Sequence, residues 1–253
     1  MSKKTKNIVG IIPARFGSTR LEGKPLVDIC GKTMIQLVYE QVKKAINHVV
    51  VATDDKRIFD EVLSFGGKVV MTSKNHSTGT NRCLEAFEII QKTETEKIDV
   101  ILNIQGDEPL LEPTQIKELI SCFEDEKTEL ATLIIPTNKK EELNTGVFVV
   151  IDNNNFALYF SRAVIPFIRD ENKEDWHTKN TYYKHVGMYG FSPKALKKFA
   201  DLNQTNLENC EKLEQLRWLE NGNKIKIAKT LHNSIPVDTL EDVKKVINII
   251  SNR

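Results

Sequence analysis

Cysteine is scarce and scattered: Cys30, Cys83, Cys122 and Cys210 are the only four in 253 residues, and none forms a C-x-x-C pair. That spacing excludes the usual zinc frameworks and argues against a disulfide scaffold. The five histidines form no H-x-x-x-H, so any metal used is a hard ion held by carboxylates. Apolar runs never approach the roughly 20 residues of a membrane span. Lysines at 3, 4 and 6 imitate the start of a signal peptide, but the apolar stretch behind them ends early, at Pro13-Ala14-Arg15. The expectation is a cytoplasmic protein without a membrane partner. Neither sign of charge predominates, since 36 basic and 35 acidic side chains leave a net charge of +1, which argues against a general nucleic-acid binder. The G-x-S-x-G elbow and the G-x-G-x-x-G fingerprint are also missing. So is a Walker A loop: Gly17 to Gly23-Lys24 is one residue too long and runs into Pro25, and Leu26 stands where Gly31-Lys32-Thr33 would need its first glycine.

What is present is a regular alternation. Ile8 to Ile12 reads as a buried strand that Pro13 ends. A long loop follows, with Gly17, Gly23 and Gly31 beside Arg15, Arg20 and Lys24, and then a helix capped near Thr33. Further strands are expected at His48–Ala52, Lys68–Thr72 and Asp99–Gln105, with helices around Ile58–Phe65, Thr80–Ile90 and Pro113–Phe123. This order implies a mostly parallel, doubly wound (Rossmann-like) α/β sheet. Ligands of such sheets bind at the carboxyl ends of the strands, here PAR, TDD, the loop at 73–82 and QGDEP. From Glu129 the pattern changes. Strand-like stretches at Leu130–Ile135, Val147–Ile151 and Tyr182–Phe191 suggest antiparallel additions, either a smaller lobe over the site or a dimer contact. Glu208–Glu220 reads as one helix with Leu213, Leu216 and Leu219 on one face. Ile225–Ala228 is a last strand, and Asp238 or Thr239 caps the final helix.

The cationic loop can bind phosphates through backbone N–H groups and side-chain charge, or can simply be a solvated loop. Asp107 is a candidate Mg²⁺ ligand for a triphosphate, or the start of an Asp-Glu-Pro turn. Asp238 is a second ligand or a helix cap. His185 reads as a core histidine, and Tyr182, Tyr183, Tyr189 and Phe191 as packing. Arg162 and Arg169 either pair a substrate carboxylate or form surface ion pairs.

Taken in order, PARFGSTRLEGKPL, VATDD, TGTNR, NIQGDEPLL, ALYFSRAVIPF, YKHVGMYGF, LEQLRWLENG and VDTLEDV resemble the successive motifs of the 3-deoxy-manno-octulosonate cytidylyltransferase (CMP-Kdo synthetase) family, from about residue 8 to 247. The resemblance implies a single domain over 1–253 of the nucleotide-sugar-transferase type, with the smaller lobe at about 129–192 serving sugar binding, dimer contact or both. It implies a cytoplasmic homodimer in a Gram-negative bacterium that makes CMP-Kdo and pyrophosphate from CTP and the acid sugar Kdo for lipopolysaccharide. Carried over by position, Arg15, Lys24 and Asp107 are catalytic. Ala14, Arg15, Gly17, Ser18, Lys24, Thr78, Gly79, Thr80, Arg82 and Gln105 bind the nucleotide. Gln105, Arg162, His185, Tyr189, Glu214 and Gln215 shape the sugar pocket, and Asp107 and Asp238 hold Mg²⁺. No covalent intermediate is expected, because in-line displacement at the α-phosphorus asks mainly for positioning and electrostatics.

Three positions depart from the family pattern. Glu22 replaces the proline of RLPGKP and adds a negative charge beside the loop. Asn81 stands where an acidic residue usually precedes the arginine. Phe148 falls where the lysine of Val-Lys-Val-Val is expected, so it either removes a substrate contact or packs in a strand. These departures leave room for an 8-amino-Kdo or a sialic-acid-like substrate, or for a CTP-binding homologue without catalysis.

Overall fold

The computed structural model describes residues 6–17 and 20–252. Its first half follows the expected alternation: β1 (Ile8–Ala14), the short strands β2 (Asp28–Ile29) and β3 (Lys32–Thr33), α1 (Met34–Lys43), β4 (Val49–Thr53), α2 (Lys56–Ser64), β5 (Val69–Met71), α3 (Gly79–Thr93), β6 (Val100–Asn103) and α4 (Pro113–Ser121). The second half contains β7 (Leu130–Thr137), β8 (Phe148–Ile151), β9 (Ala157–Ser161), α5 (Trp176–Lys179), β10 (Tyr182–Phe191), α6 (Pro193–Asp201), α7 (Asn206–Glu211), α8 (Leu216–Glu220), β11 (Lys226–Lys229) and α9 (Leu240–Ser251).

The main sheet runs in the order β11-β7-β10-β6-β1-β4-β5. The pairs β6–β1, β1–β4, β4–β5 and β11–β7 are parallel, and β10 enters antiparallel between β6 and β7. β8 and β9 branch from β10 as an antiparallel extension, and β2 and β3 form a separate small hairpin. Every residue of β4 and β6 is buried, as strands covered on both faces must be. One apolar layer joins the sheet to α3 and α6, with Ala86, Ile90, Leu196 and Phe199. The opposite layer joins it to α1, α2 and α4, with Val38, Val42, Ile58 and Ile116.

The second half departs from expectation in one helix, settles one cap and adds one helix. Glu208–Glu220 is not one helix. It is broken at Lys212, whose backbone is left-handed (φ 53°), into α7 and α8. A continuous helix would lay the three leucines along one face; the break instead lets Arg217 reach back to donate to the Glu208 carboxylate, both side chains being buried. Of the two expected caps of the final helix, Thr239 is the one used: it exchanges hydrogen bonds with Asp242, and Asp238 is left outside the cap. α6, begun by Ser192 as N-cap and Pro193 in its first turn, was not among the expected elements.

Candidate active site

The carboxyl ends of β1 and β6, the cationic loop and the loop after β5 surround a cavity of about 320 Å³ lined by Ala14, Arg15, Arg20, Lys24, Thr78, Gly79, Arg82, Gln105, Asp107 and Asp238, with Pro13, Pro25, His76, Ser77 and Gly106. Local chain geometry explains the convergence. Gly23 is left-handed (φ 65°), and its N–H donates to the Phe16 carbonyl at 3.0 Å, folding the cationic loop back on itself. The turn Lys24–Leu26, stiffened by Pro25, then aims Lys24 inward. Gly106 lies so close to β1 that a Cβ there would sit 3.1 Å from the Pro13 carbonyl oxygen, which brings Asp107 against the end of the first strand.

Lys24 Nζ donates to Asp107 Oδ2 at 2.6 Å and to Asp238 Oδ1 at 3.2 Å, while Arg20 pairs with the same Asp238 oxygen at 2.9 Å. Two carboxylates 131 positions apart in sequence thus share one cation. The segment 230–239 that delivers Asp238 has no regular structure and is fastened to the Asp107 corner. Val237 N–H donates to the Asp107 carbonyl at 2.9 Å, Gln115 Nε2 to the His232 carbonyl at 3.0 Å, and the Ser234 hydroxyl to Glu108. Burial pushes the Glu108 carboxyl up to about 7.

On the opposite wall, buried Arg82 donates to Asp54 Oδ2 at 2.8 Å and to Thr72 Oγ1 at 2.6 Å. Thr78 caps α3 by accepting from Asn81 N–H, so the positive end of this 15-residue helix opens on the cavity at Gly79. His76 also lines the cavity, paired with Glu85, whose carboxylate accepts from Ser73 N–H. His76 was absent from the sequence-derived set; its one signal was its place in the polar loop just before Gly79.

Of the residues expected around the sugar, only Gln105 lines the cavity. A bulge in β10 between Val186 and Tyr189 turns the intervening carbonyls: Gly187 accepts from Gln105 Nε2 at 3.0 Å and Met188 from the Thr132 hydroxyl at 2.7 Å. With its proton spent on Met188, Thr132 Oγ1 accepts from His185 Nε2 at 2.9 Å, leaving Nδ1 as the acceptor of the imidazole. Desolvation lowers the His185 pKa to about 4, so the ring is neutral at pH 7. Tyr189 packs on His185 with centroids 5.3 Å apart, and burial raises its hydroxyl well above the usual range. Glu214 accepts from the Thr80 hydroxyl at 2.8 Å, and burial raises its pKa. Its Oε1 lies 4.0 Å from Arg217 Nη2 without a hydrogen bond, and the Nε2 of buried Gln215 has no hydrogen-bond partner. Arg162 is exposed, with its guanidinium on the Glu211 and Lys212 carbonyls. Phe148 is buried with Leu143, Trp176 and Tyr182, so the packing alternative describes its surroundings. Ser18 lies outside the described residues.

Among the described residues no group of three or more His, Cys, Asp or Glu could hold a metal. Nor is any helix among them long and apolar enough to cross a membrane. Asp107 and Asp238 nevertheless fit a hard cation, since both already converge on the ammonium of Lys24.

Comparison with known proteins gives concordant results. Residues 9–225 match the profile described as cytidylyltransferase. The chain is 49% identical to the 3-deoxy-manno-octulosonate cytidylyltransferase of Parabacteroides distasonis, over 97% of this chain and 98% of that one. It is 48% identical to the 8-amino-3,8-dideoxy-manno-octulosonate cytidylyltransferase of Shewanella baltica, over 94% and 96%. A solved structure of CMP:2-keto-3-deoxy-manno-octonic acid synthetase complexed with CTP superimposes with a TM-score of 0.87 at 36% identity, covering 98% of this chain and 99% of that one.

Proposed function

The chain belongs to the cytidylyltransferase family, and we propose that it transfers CMP from CTP to the anomeric hydroxyl of 3-deoxy-D-manno-octulosonate, giving CMP-Kdo and pyrophosphate for lipopolysaccharide. The observation that carries this reading is the placement of Lys24 between Asp107 and Asp238 at the mouth of a cavity formed by the strand ends.

Arg15 and Lys24, with the N-terminus of α3, bind the triphosphate and stabilise the charge that grows as pyrophosphate leaves. Ala14 at the end of β1 and Gly17 just after it, together with Thr78, Gly79, Thr80, Arg82 and Gln105 on the facing wall, hold the rest of the nucleotide, a role that by sequence position Ser18 shares. Arg82 is held rigid by Asp54 and Thr72, so its charge is in place before substrate arrives. The sugar lies toward Gln105, His185, Tyr189, Glu214 and Gln215, with Arg162 at its edge; the unpartnered Gln215 Nε2 supplies hydrogen-bonding capacity there. Asp107 and Asp238 would hold Mg²⁺. When bound, the ion lowers the pKa of the sugar hydroxyl and screens the phosphate charge. Neutral His185 and the un-ionised Tyr189 orient the sugar without serving as bases.

A homodimer in the cytoplasm, where CTP is made, completes the reading. The exposed Phe167, edge-on to Trp176 at 5.0 Å, marks a face of the 129–192 lobe suited to a second copy. Pyrophosphate release with CTP and Mg²⁺ across a panel of acid sugars is the test. Turnover with Kdo is expected. Activity confined to the 8-amino analogue or to a nine-carbon sugar acid would replace the sugar assignment, and CTP binding without turnover on any sugar would remove the catalytic one.

A further inference from the structure

The corner after β4 carries two consecutive carboxylates, and each holds an arginine on a different side. Asp54 binds Arg82 inside the cavity wall at 2.8 Å. Asp55 turns the other way, onto Arg57 in the first turn of α2, taking Nε at 2.9 Å and Nη2 at 2.7 Å as a fork. The guanidinium so fixed lies over the ring of Phe16, 3.2 Å from its centroid. Phe16 is the residue between Arg15 and Gly17, and its carbonyl accepts the Gly23 N–H that closes the loop. The same ring lies against Gly23, where a Cβ would come within 3.1 Å of it. Glu22, the residue that departs from the family pattern, adds its negative field to that of Asp55 at Arg57. The extra charge beside the phosphate loop therefore acts on a cation already stationed there.

We propose that Arg57, which lines no part of the cavity, is a positioning residue for CTP: stacked on Phe16 and oriented by Asp55, it clamps the loop so that Arg15 and Lys24 are presented together. At the Phe16 end the Gly23–Phe16 hydrogen bond alone would leave the ring free to turn. Lys24 and Arg20 tie the loop's far end to Asp107 and Asp238, and Arg57 adds an attachment at its near end from α2, so less ordering is left to be done when the nucleotide binds. This inference rests on the assignment of that loop to the nucleotide.

The test uses R57A, R57K, F16L and the double variant R57A/F16L, with K24A alongside. CTP affinity is measured by calorimetry without turnover, and KM and kcat by pyrophosphate release at saturating sugar. R57A is expected to raise both the CTP dissociation constant and its KM about three- to tenfold, the size carried by one lost cation–π contact. Its kcat should stay within about twofold and its sugar KM should not change. R57K should recover part of the loss, and the double variant should be no worse than the poorer single variant, because both remove one contact. Arg57 is exposed and Asp55 still caps α2 in R57A, so the thermal midpoint should hold. Unchanged CTP affinity in R57A, or strictly additive losses in the double variant, overturns the clamp. If K24A also leaves CTP affinity intact, the nucleotide assignment falls with it. If K24A weakens CTP and R57A does not, only the clamp falls.

Discussion

Replacing Asp107 by asparagine keeps the side chain's shape and removes one unit of charge from the point where the two halves of the site meet. In the wild-type chain Lys24 Nζ stands 2.6 Å from Asp107 and 3.2 Å from Asp238. At an effective dielectric of about 20, two unit charges 4 Å apart interact by about 4 kcal/mol. The Asp107 side chain is 27% exposed, so solvent screening removes part of that. A residual loss of about 2.7 kcal/mol in the transition state corresponds to a hundredfold fall in turnover. D107N is therefore expected to lower kcat at least about a hundredfold in Mg²⁺-dependent pyrophosphate release. The fold should survive, because the backbone carbonyl of Asp107, not its side chain, accepts from Val237 N–H. D238N should also be impaired. The double variant should lose less than the product of the two single effects, since both carboxylates serve one cation. Near-wild-type turnover in D107N, with substrates saturating, would refute the shared-cation reasoning outright.

Other parts of the molecule give independent expectations. G106A forces a Cβ to within 3.1 Å of the Pro13 carbonyl and should cost about 1–3 kcal/mol, read as a lower thermal midpoint together with weaker CTP binding. R217A strands the buried Glu208 carboxylate, and a loss of about 3–5 kcal/mol in denaturant unfolding is expected; a loss below about 1 kcal/mol would show the pair to be dispensable. The pKa of His185 is lowered by desolvation from 6.5 to about 4, so the folded state prefers the neutral ring. Its contribution to stability is present above about pH 6.5 and is lost as pH falls toward 4. H185Q should flatten the stability profile across that window, and an unchanged slope would count against a desolvated ring.

Much of the fold could be read from local pattern because its central strands are simple. β1, β4 and β6 are short apolar runs, the last two bounded by Thr53-Asp54-Asp55 and by Gly106-Asp107, and burial leaves no competing period; Pro13 does not end β1 as expected, because the strand pairs with β4 through Ala14. The site was legible where its residues sit at those strand ends, since a parallel sheet gathers such ends whatever the intervening helices do. Long-range pairings were not. No window of sequence reveals that Arg217 folds back on Glu208, so three leucines at helical spacing suggest one helix where the chain makes two. Asp238 is the sharpest instance. In sequence, Asp238 and Thr239 are equivalent caps, and what separates them is Asp242, which exchanges hydrogen bonds with Thr239. Once Thr239 holds the helix end, the Asp238 carboxylate has no local donor and turns to Arg20 and Lys24, 218 and 214 positions upstream. A capping preference worth about 1 kcal/mol in one residue thus decides whether its neighbour is a structural acid or part of a charged site.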